Sequence, residues 1–229
     1  MRTAADAPHR HGSHHPRPAN SAGLRSLAIM VNLLVVRHAE SVWNLDGRWQ
    51  GHANPPLTSA GAAQARAAAA GLEGVDCIVS SDLDRARQTA EIIAETLDAG
   101  PVTTDPGWRE RNVGLWQGLT SEEIERDYPG ALAAGNYPPG WEGDELLIER
   151  VLAASHRIAA RISSGEALVV SHAGVIYTLE RYFGCAFKRI SNLGGLRIRV
   201  QSGDVRLQDR IALTGDGACL TPTATTERR

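Results

Sequence analysis

The chain has 229 residues, 42% of them hydrophobic and 22% charged, with 24 Lys and Arg against 26 Asp and Glu and a formal net charge of -2. That balance allows a full core and excludes a surface built to bind nucleic acid, so an anionic substrate must be held by a few placed cations. No apolar run approaches the ~20 residues that cross a bilayer, and the three cysteines, Cys77, Cys185 and Cys219, have neither disulfide-framework nor zinc-ligand spacing. The chain therefore reads as soluble, membrane-free and cytoplasmic, with reduced thiols.

Residues 1–29 are rich in Ala, Pro, Arg and His and have no apolar period, which predicts a disordered leader. His9, His11, His14 and His15 within it read as a solvated tail rather than a metal-binding tract. No apolar core with a small-residue cleavage site follows the basic residues, so this is not a signal peptide. Met30 stands immediately before the first predicted strand, as a mis-assigned start or a dispensable leader would leave it.

The run Leu33-Leu34-Val35-Val36 is uninterrupted and apolar, the pattern of a strand buried on both faces. Pro55-Pro56 makes a loop, Thr58 caps an Ala-rich helix reaching about Leu72 and ended by Gly71 and Gly74, and Cys77-Ile78-Val79 is a short strand. A helix follows over 83–97, broken by Gly100-Pro101, and then a third strand at Val102-Thr103-Thr104. From 105 to 144 the pattern loosens into an irregular segment rich in Gly, Pro, Trp and Tyr, as in a substrate loop or lid, with one short helix at 121–127. A helix over 144–162, a buried strand at 167–170, a helix to about Tyr182 and a hairpin turned at Ser202-Gly203-Asp204 complete the chain before a disordered tail from 215. Alternating strands and helices predict an α/β fold. It is a three-layer α/β/α sandwich with a mostly parallel sheet and an antiparallel edge, in a single domain over 30–214.

Three predicted strand ends carry polar groups: Arg37-His38, Ser81 to Arg85, and Ser171-His172. Parallel strands bring their carboxyl ends to one side of a sheet, where ligands bind in open α/β folds. Two arginines and two histidines converging there suit phosphate. The guanidinium fork matches phosphate oxygens bidentately, and a neutral imidazole nitrogen can attack phosphorus.

These pieces resemble the histidine phosphatase superfamily, the phosphoglycerate-mutase-like proteins. The resemblance rests on Arg37-His38-Ala39-Glu40-Ser41-Val42-Trp43-Asn44, Ser80-Ser81-Asp82-Leu83-Asp84-Arg85-Ala86-Arg87-Gln88-Thr89-Ala90, Trp108-Arg109-Glu110-Arg111-Asn112-Val113-Gly114 and Val169-Val170-Ser171-His172-Ala173-Gly174, in the family's order. It implies that His38 is the nucleophile, that Arg37, Arg85 and His172 hold the phosphoryl oxygens, and that Glu110 protonates the leaving oxygen and then activates water. It also implies that Asn44 supports substrate or phosphate. Arg48 and Gln50, in the loop after the nucleophile, are candidates for the rest of the substrate. Ala39 stands where the family usually has glycine, which removes no catalytic group. His172-Ala173-Gly174 replaces the His-Asp of the acid-phosphatase and phytase branch and leaves Glu110 as proton donor.

A family mutase uses a cation-rich insertion after the glutamate motif. Here only Arg126 stands between Gly114 and Arg150, among Trp116, Tyr128, Tyr137 and Trp141. Hydrolysis of a small phosphorylated substrate is the preferred reading, with no metal and no cofactor. Mutase-type transfer and a non-catalytic phosphate-binding adaptor are the alternatives. Trp43, Trp49, Trp108, Trp116 and Trp141 are candidates to line an apolar or sugar-stacking pocket. Nothing in the sequence sets the oligomeric state, and a dimer stays open.

Overall fold

The apolar run around Leu33 forms the strand β1, Met30–Arg37, which pairs with a strand on each side in the middle of the sheet. The computed structural model describes residues 30–213, so the leader with its histidines and the tail with Cys219 lie outside the described residues. In chain order the helices and strands are α1 (Val42–Leu45), α2 (Ser59–Ala69), β2 (Cys77–Ser80), α3 (Asp84–Leu97) and β3 (Thr103–Thr104). They are followed by α4 (Ser121–Asp127), α5 (Ala131–Ala134), α6 (Asp144–Ile162), β4 (Ser164–Ser171), α7 (Ala173–Tyr182), β5 (Gly194–Gln201) and β6 (Asp204–Ala212).

The sheet has six strands in the order β3-β2-β4-β1-β5-β6. Its pairings β2–β3, β2–β4 and β1–β4 are parallel, whereas β1–β5 and β5–β6 are antiparallel. This is the mostly parallel sheet with an antiparallel edge that the sequence predicts. Alternate residues of β1 face opposite layers. Val31, Leu33 and Val35 pack with Leu147 and Val151 of α6 and Ile176 of α7. Leu34 and Val36 pack with Ala65 and Ala68 of α2 and Ile93 of α3. Burial on both faces is why the run carries no polar residue.

Element ends follow local chemistry. Thr58 Oγ accepts the Gly61 N–H at 2.8 Å and starts α2, while Thr120 and Glu123 form a reciprocal capping box that starts α4. The Ser202-Gly203 pair has φ of 49° and 86°, the two left-handed residues that a tight hairpin turn between β5 and β6 needs. Two expected stops move. Helix α2 ends at Ala69, and Gly71 and Gly74 lie beyond it. Helix α3 ends because Asp98 adopts φ 51°, ahead of Gly100-Pro101.

Candidate active site

Strands β2, β4 and β1 are neighbours and parallel, so Ser80, Ser171 and Arg37 end side by side. The ladder runs one residue further. His38 N–H donates to Ser171 O at 2.9 Å, and Ser81 N–H donates to Val170 O at 2.9 Å. Arg85, in the first turn of α3, is fully buried and spends its fork on protein acceptors. Its Nη1 donates to Ala53 O at 2.7 Å, its Nη2 to Gly51 O at 2.9 Å, and its Nε to His38 Nε2 at 3.1 Å.

The His38 tautomer follows from its partners. Nδ1 lies 2.6 Å from Ala39 O, a carbonyl that can only accept, so Nδ1 carries the hydrogen. Nε2 is then the atom with a lone pair. Burial, Arg85 and Arg37 all push the imidazole well below its ordinary pKa, which keeps that lone pair available at neutral pH. Asn192 Nδ2 donates to His38 O at 2.8 Å and completes the bracing.

The His172 ring stands edge-on to His38, with centroids 5.3 Å apart, and is itself fully buried. Burial, then Arg85 and His38, hold its pKa well below the ordinary value. Both of its nitrogens, and Nε of Arg37, are buried without a hydrogen-bond partner among the described residues. Unpaired buried groups of this kind cost roughly 1–3 kcal/mol each, and a phosphoryl group supplies acceptor oxygens for the Arg37 Nε–H and for the one N–H of a neutral His172. Arg37 Nη1 is tied to Ile190 O at 3.0 Å. Burial lowers the pKa of Arg37, and it pushes that of Arg85 down to about 10, with Glu110 opposing the shift in both. Both guanidinium groups stay cationic at neutral pH.

A cleft of about 500 Å³ opens over these strand ends. Arg37, His38, Arg85 and Glu110 line it, as do Asn44, Arg48 and Gln50; His172 lies beside His38 and is not part of the lining. Glu110 sits in the irregular segment anchored by the fully buried Trp108. Its Oε1 accepts the Arg111 N–H at 2.7 Å, and its Oε2 accepts the Gly174 N–H, in the first turn of α7, at 3.2 Å. A methyl group at Gly174 would stand 2.2 Å from Glu110 Oε1, so only glycine admits the carboxylate there.

The three candidates of lower rank behave differently. Asn44 Oδ1 takes the Ser41 N–H at 3.1 Å and Asn192 Nδ2 at 3.3 Å, which leaves its own amide hydrogens without a protein partner. Gln50 Oε1 accepts the Ser41 hydroxyl at 3.0 Å, so its carbonyl end supports the loop. Arg48 pairs with Glu123 at 3.0 Å and donates to Gly118 O at 2.6 Å, so its charge is already offset. The tryptophans also divide. Trp43, Trp49 and Trp141 line the cleft, whereas Trp108 and Trp116 are fully buried. Trp116 braces the wall from behind, edge-on to Trp49 and to Trp141 at 5.8 Å each, and Tyr137 stacks on Trp141 at 4.0 Å.

Sequence reasoning missed Asn192, Arg189 and Tyr177. Asn192 precedes β5, whose antiparallel run brings its start to the same rim; Arg189 and Tyr177 line the cleft. None of them sits in a strand-end motif, and only the Ser191-Asn192 loop signal before β5 pointed there. Among the described residues, no three His, Cys, Asp or Glu side chains cluster as a metal site would need, and no helix is long and apolar enough to cross a membrane.

An imidazole lone pair held against the Arg85 guanidinium, with Arg37 and a second buried histidine at the neighbouring parallel strand ends, defines a phosphate-handling site built around a histidine. Residues 33–198 match the model of the histidine phosphatase superfamily (branch 1), and the chain belongs to that family. It is 36% identical over 157 residues to phosphoglycerate mutase-like protein 4 of Arabidopsis thaliana, covering 64% of this chain and 68% of that one. It is 35% identical to the metal-independent phosphoserine phosphatase of the same plant, covering 64% of this chain and 66% of the relative. Among solved structures it resembles the mycobacterial glucosyl-3-phosphoglycerate phosphatase complexed with VO3, with a TM-score of 0.68 and 27% identity. That likeness covers 79% of this chain and 99% of that one.

Proposed function

We propose that the cleft hydrolyses a small phosphomonoester in two steps through a phosphohistidine on His38. The observation that carries this reading is the setting of the His38 ring, with Nδ1 on Ala39 O and Nε2 facing Arg85, which supports Nε2 as the attacking nitrogen. In the first step Nε2 attacks phosphorus while the ester P–O bond breaks. Arg37, Arg85 and His172 hold the phosphoryl oxygens, and the Glu110 carboxyl gives its proton to the departing alkoxide. In the second step Glu110 takes a proton from water, the resulting oxygen attacks phosphorus, and the P–N bond breaks to release inorganic phosphate.

Hydrolysis rather than phosphoryl return to substrate is supported by the segment between Gly114 and α6. It contributes Ser121, Leu132, Tyr137 and Trp141 to the cleft and no cation, since Arg126 is exposed and paired with Asp127. The amide of Asn44 is free to reach a substrate or phosphoryl oxygen, whereas Arg48 and Gln50 shape the wall.

The test is to incubate purified protein with 3-phosphoglycerate, phosphoserine and a panel of sugar phosphates. Inorganic phosphate should appear from at least one of them. Conversion of 3-phosphoglycerate to its isomer without phosphate release would overturn hydrolysis in favour of mutase-type transfer.

A further inference from the structure

Glu110 stands on an irregular segment, yet a proton donor works only if its carboxyl is held within hydrogen-bond reach of the leaving oxygen. The carboxyl is fixed by the Arg111 and Gly174 N–H groups. The peptide from which the side chain hangs is fixed by a separate device, behind the cleft.

That device is Arg150, in the second turn of α6. All five of its N–H donors are satisfied. Nε and Nη2 grip the Glu142 carboxylate at 2.7 and 2.8 Å, and burial, which raises the Glu142 pKa, is outweighed by this pairing. The remaining three donors go to backbone oxygens of one segment: Gly107 O and Arg109 O at 2.8 Å, and Glu110 O at 3.1 Å. The Glu142–Arg150 pair is local to the start of α6, whereas the three carbonyls come from 40 residues or more earlier. The segment therefore docks onto a fork already set by the helix.

The Glu110 carbonyl has a second donor. His52 Nε2 lies 2.8 Å from it, and since a carbonyl only accepts, His52 Nε2 carries the hydrogen. His52 is flanked by Gly51 and Ala53, whose carbonyls hold the two terminal nitrogens of Arg85. Three consecutive residues thus join the arginine beside the nucleophile to the peptide of Glu110. Neither His52 nor Arg150 lines the cleft.

We infer that Arg150 and His52 are positioning residues that set the reach of the Glu110 carboxyl, so that leaving-group protonation depends on two side chains that touch no substrate. The inference rests on Glu110 being the proton donor. Lysine cannot replace Arg150, because an ammonium has three donors and no planar fork. A shift of about 1 Å in the Glu110 peptide is enough to cost up to 10²-fold in rate.

The experiment measures rapid-quench phosphorylation of the full-length protein by 2-glycerophosphate, whose alkoxide needs a proton, and by p-nitrophenyl phosphate, whose phenolate does not. The variants are R150K, H52A, E110Q and the two double variants with E110Q. R150K and H52A should slow phosphorylation by 2-glycerophosphate on the order of tenfold or more, with that by p-nitrophenyl phosphate nearly unchanged. In the E110Q background neither should cause further loss, as expected for residues acting through Glu110. Equal losses with both substrates, no loss, or the same loss again on top of E110Q each overturn the inference. If R150K does not fold, H52A decides by the same criteria. Failure of the underlying reading looks different: E110Q alone then slows both substrates equally.

Discussion

Arg85 Nε donates to His38 Nε2 at 3.1 Å, so in the resting site the lone pair proposed as nucleophile is covered by the guanidinium proposed to face phosphoryl oxygens. Gly51 O and Ala53 O each hold one terminal nitrogen and anchor Arg85, which leaves the Nε hydrogen and the second hydrogen of each terminal nitrogen as the donors that can meet phosphate. R85K keeps a charge but has no fork with which to meet both carbonyls and the site at once. We expect kcat/KM to fall roughly 10²–10³-fold, the scale of a lost transition-state donor. A loss under tenfold would show that Arg85 is a scaffold residue.

The phosphoenzyme should be the Nε2-phosphohistidine of His38, since Nδ1 is bound to Ala39 O. Alkaline denaturing quench during turnover, followed by mass spectrometry and phosphorus NMR, identifies the isomer. H38A should contain none. A phosphoryl group on Nδ1, or full turnover by H38A, contradicts the assignment.

Gly174→Ala tests the fit of Glu110. The added methyl would lie 2.2 Å from Oε1, so the carboxylate must leave its place on the Gly174 N–H. Phosphorylation by an alkyl phosphate should slow by roughly ten- to a hundredfold, and that by p-nitrophenyl phosphate far less. Thermal unfolding of the variant checks that the fold survives.

Stability should fall in mild acid. His38 and His172 both have pKa values well below the ordinary imidazole value of 6.5 in the folded chain. Below about pH 6.5 the unfolded chain therefore binds protons that the native chain refuses. Their contribution is complete above that pH and is lost as pH drops, by up to about 1.4 kcal/mol per pH unit for each imidazole. Urea unfolding between pH 5 and pH 8 measures the slope, and H172N should flatten it. An unchanged slope would mean that His172 is protonated in the native protein. The acid limb of kcat/KM should likewise lie below 6.5, because protonated His38 has no lone pair to offer.

Turnover should survive EDTA. Phosphoryl charge is met by Arg37 and Arg85, and among the described residues no cluster offers metal ligands. Activity lost on chelation and restored by magnesium would refute this.

The meeting of Arg37, His38, Arg85 and His172 was legible in the sequence because strand ends announce themselves. Apolar runs stopped at Arg37-His38 and Ser171-His172, and parallel pairing did the rest. Helices α4 and α6 were legible to the residue, α6 through apolar spacing along one face. Glu110 was legible too, within its Arg-Glu-Arg motif, but its supports were not. Arg150 and His52 bind backbone oxygens, and a carbonyl has no letter in the sequence. Arg48 read as a substrate contact because Glu123, its partner, is 75 residues away. Trp108 and Trp116 could not be told from Trp43 and Trp49 by type, since burial is settled by tertiary packing.

The excursion between β3 and α6 carries Glu110, the proposed proton donor, and the aromatic wall, while His38, the proposed nucleophile, and Arg37 and Arg85 belong to a strand end and α3. The two halves can therefore diverge at different speeds. A lineage can rewrite the excursion, and with it the molecule it accepts, while the histidine chemistry beneath is inherited unchanged. The Glu142–Arg150 fork is the joint at which such a replacement must be refitted, because each new excursion has to present three backbone oxygens, and a carboxylate in place of Glu142, to the same five hydrogens.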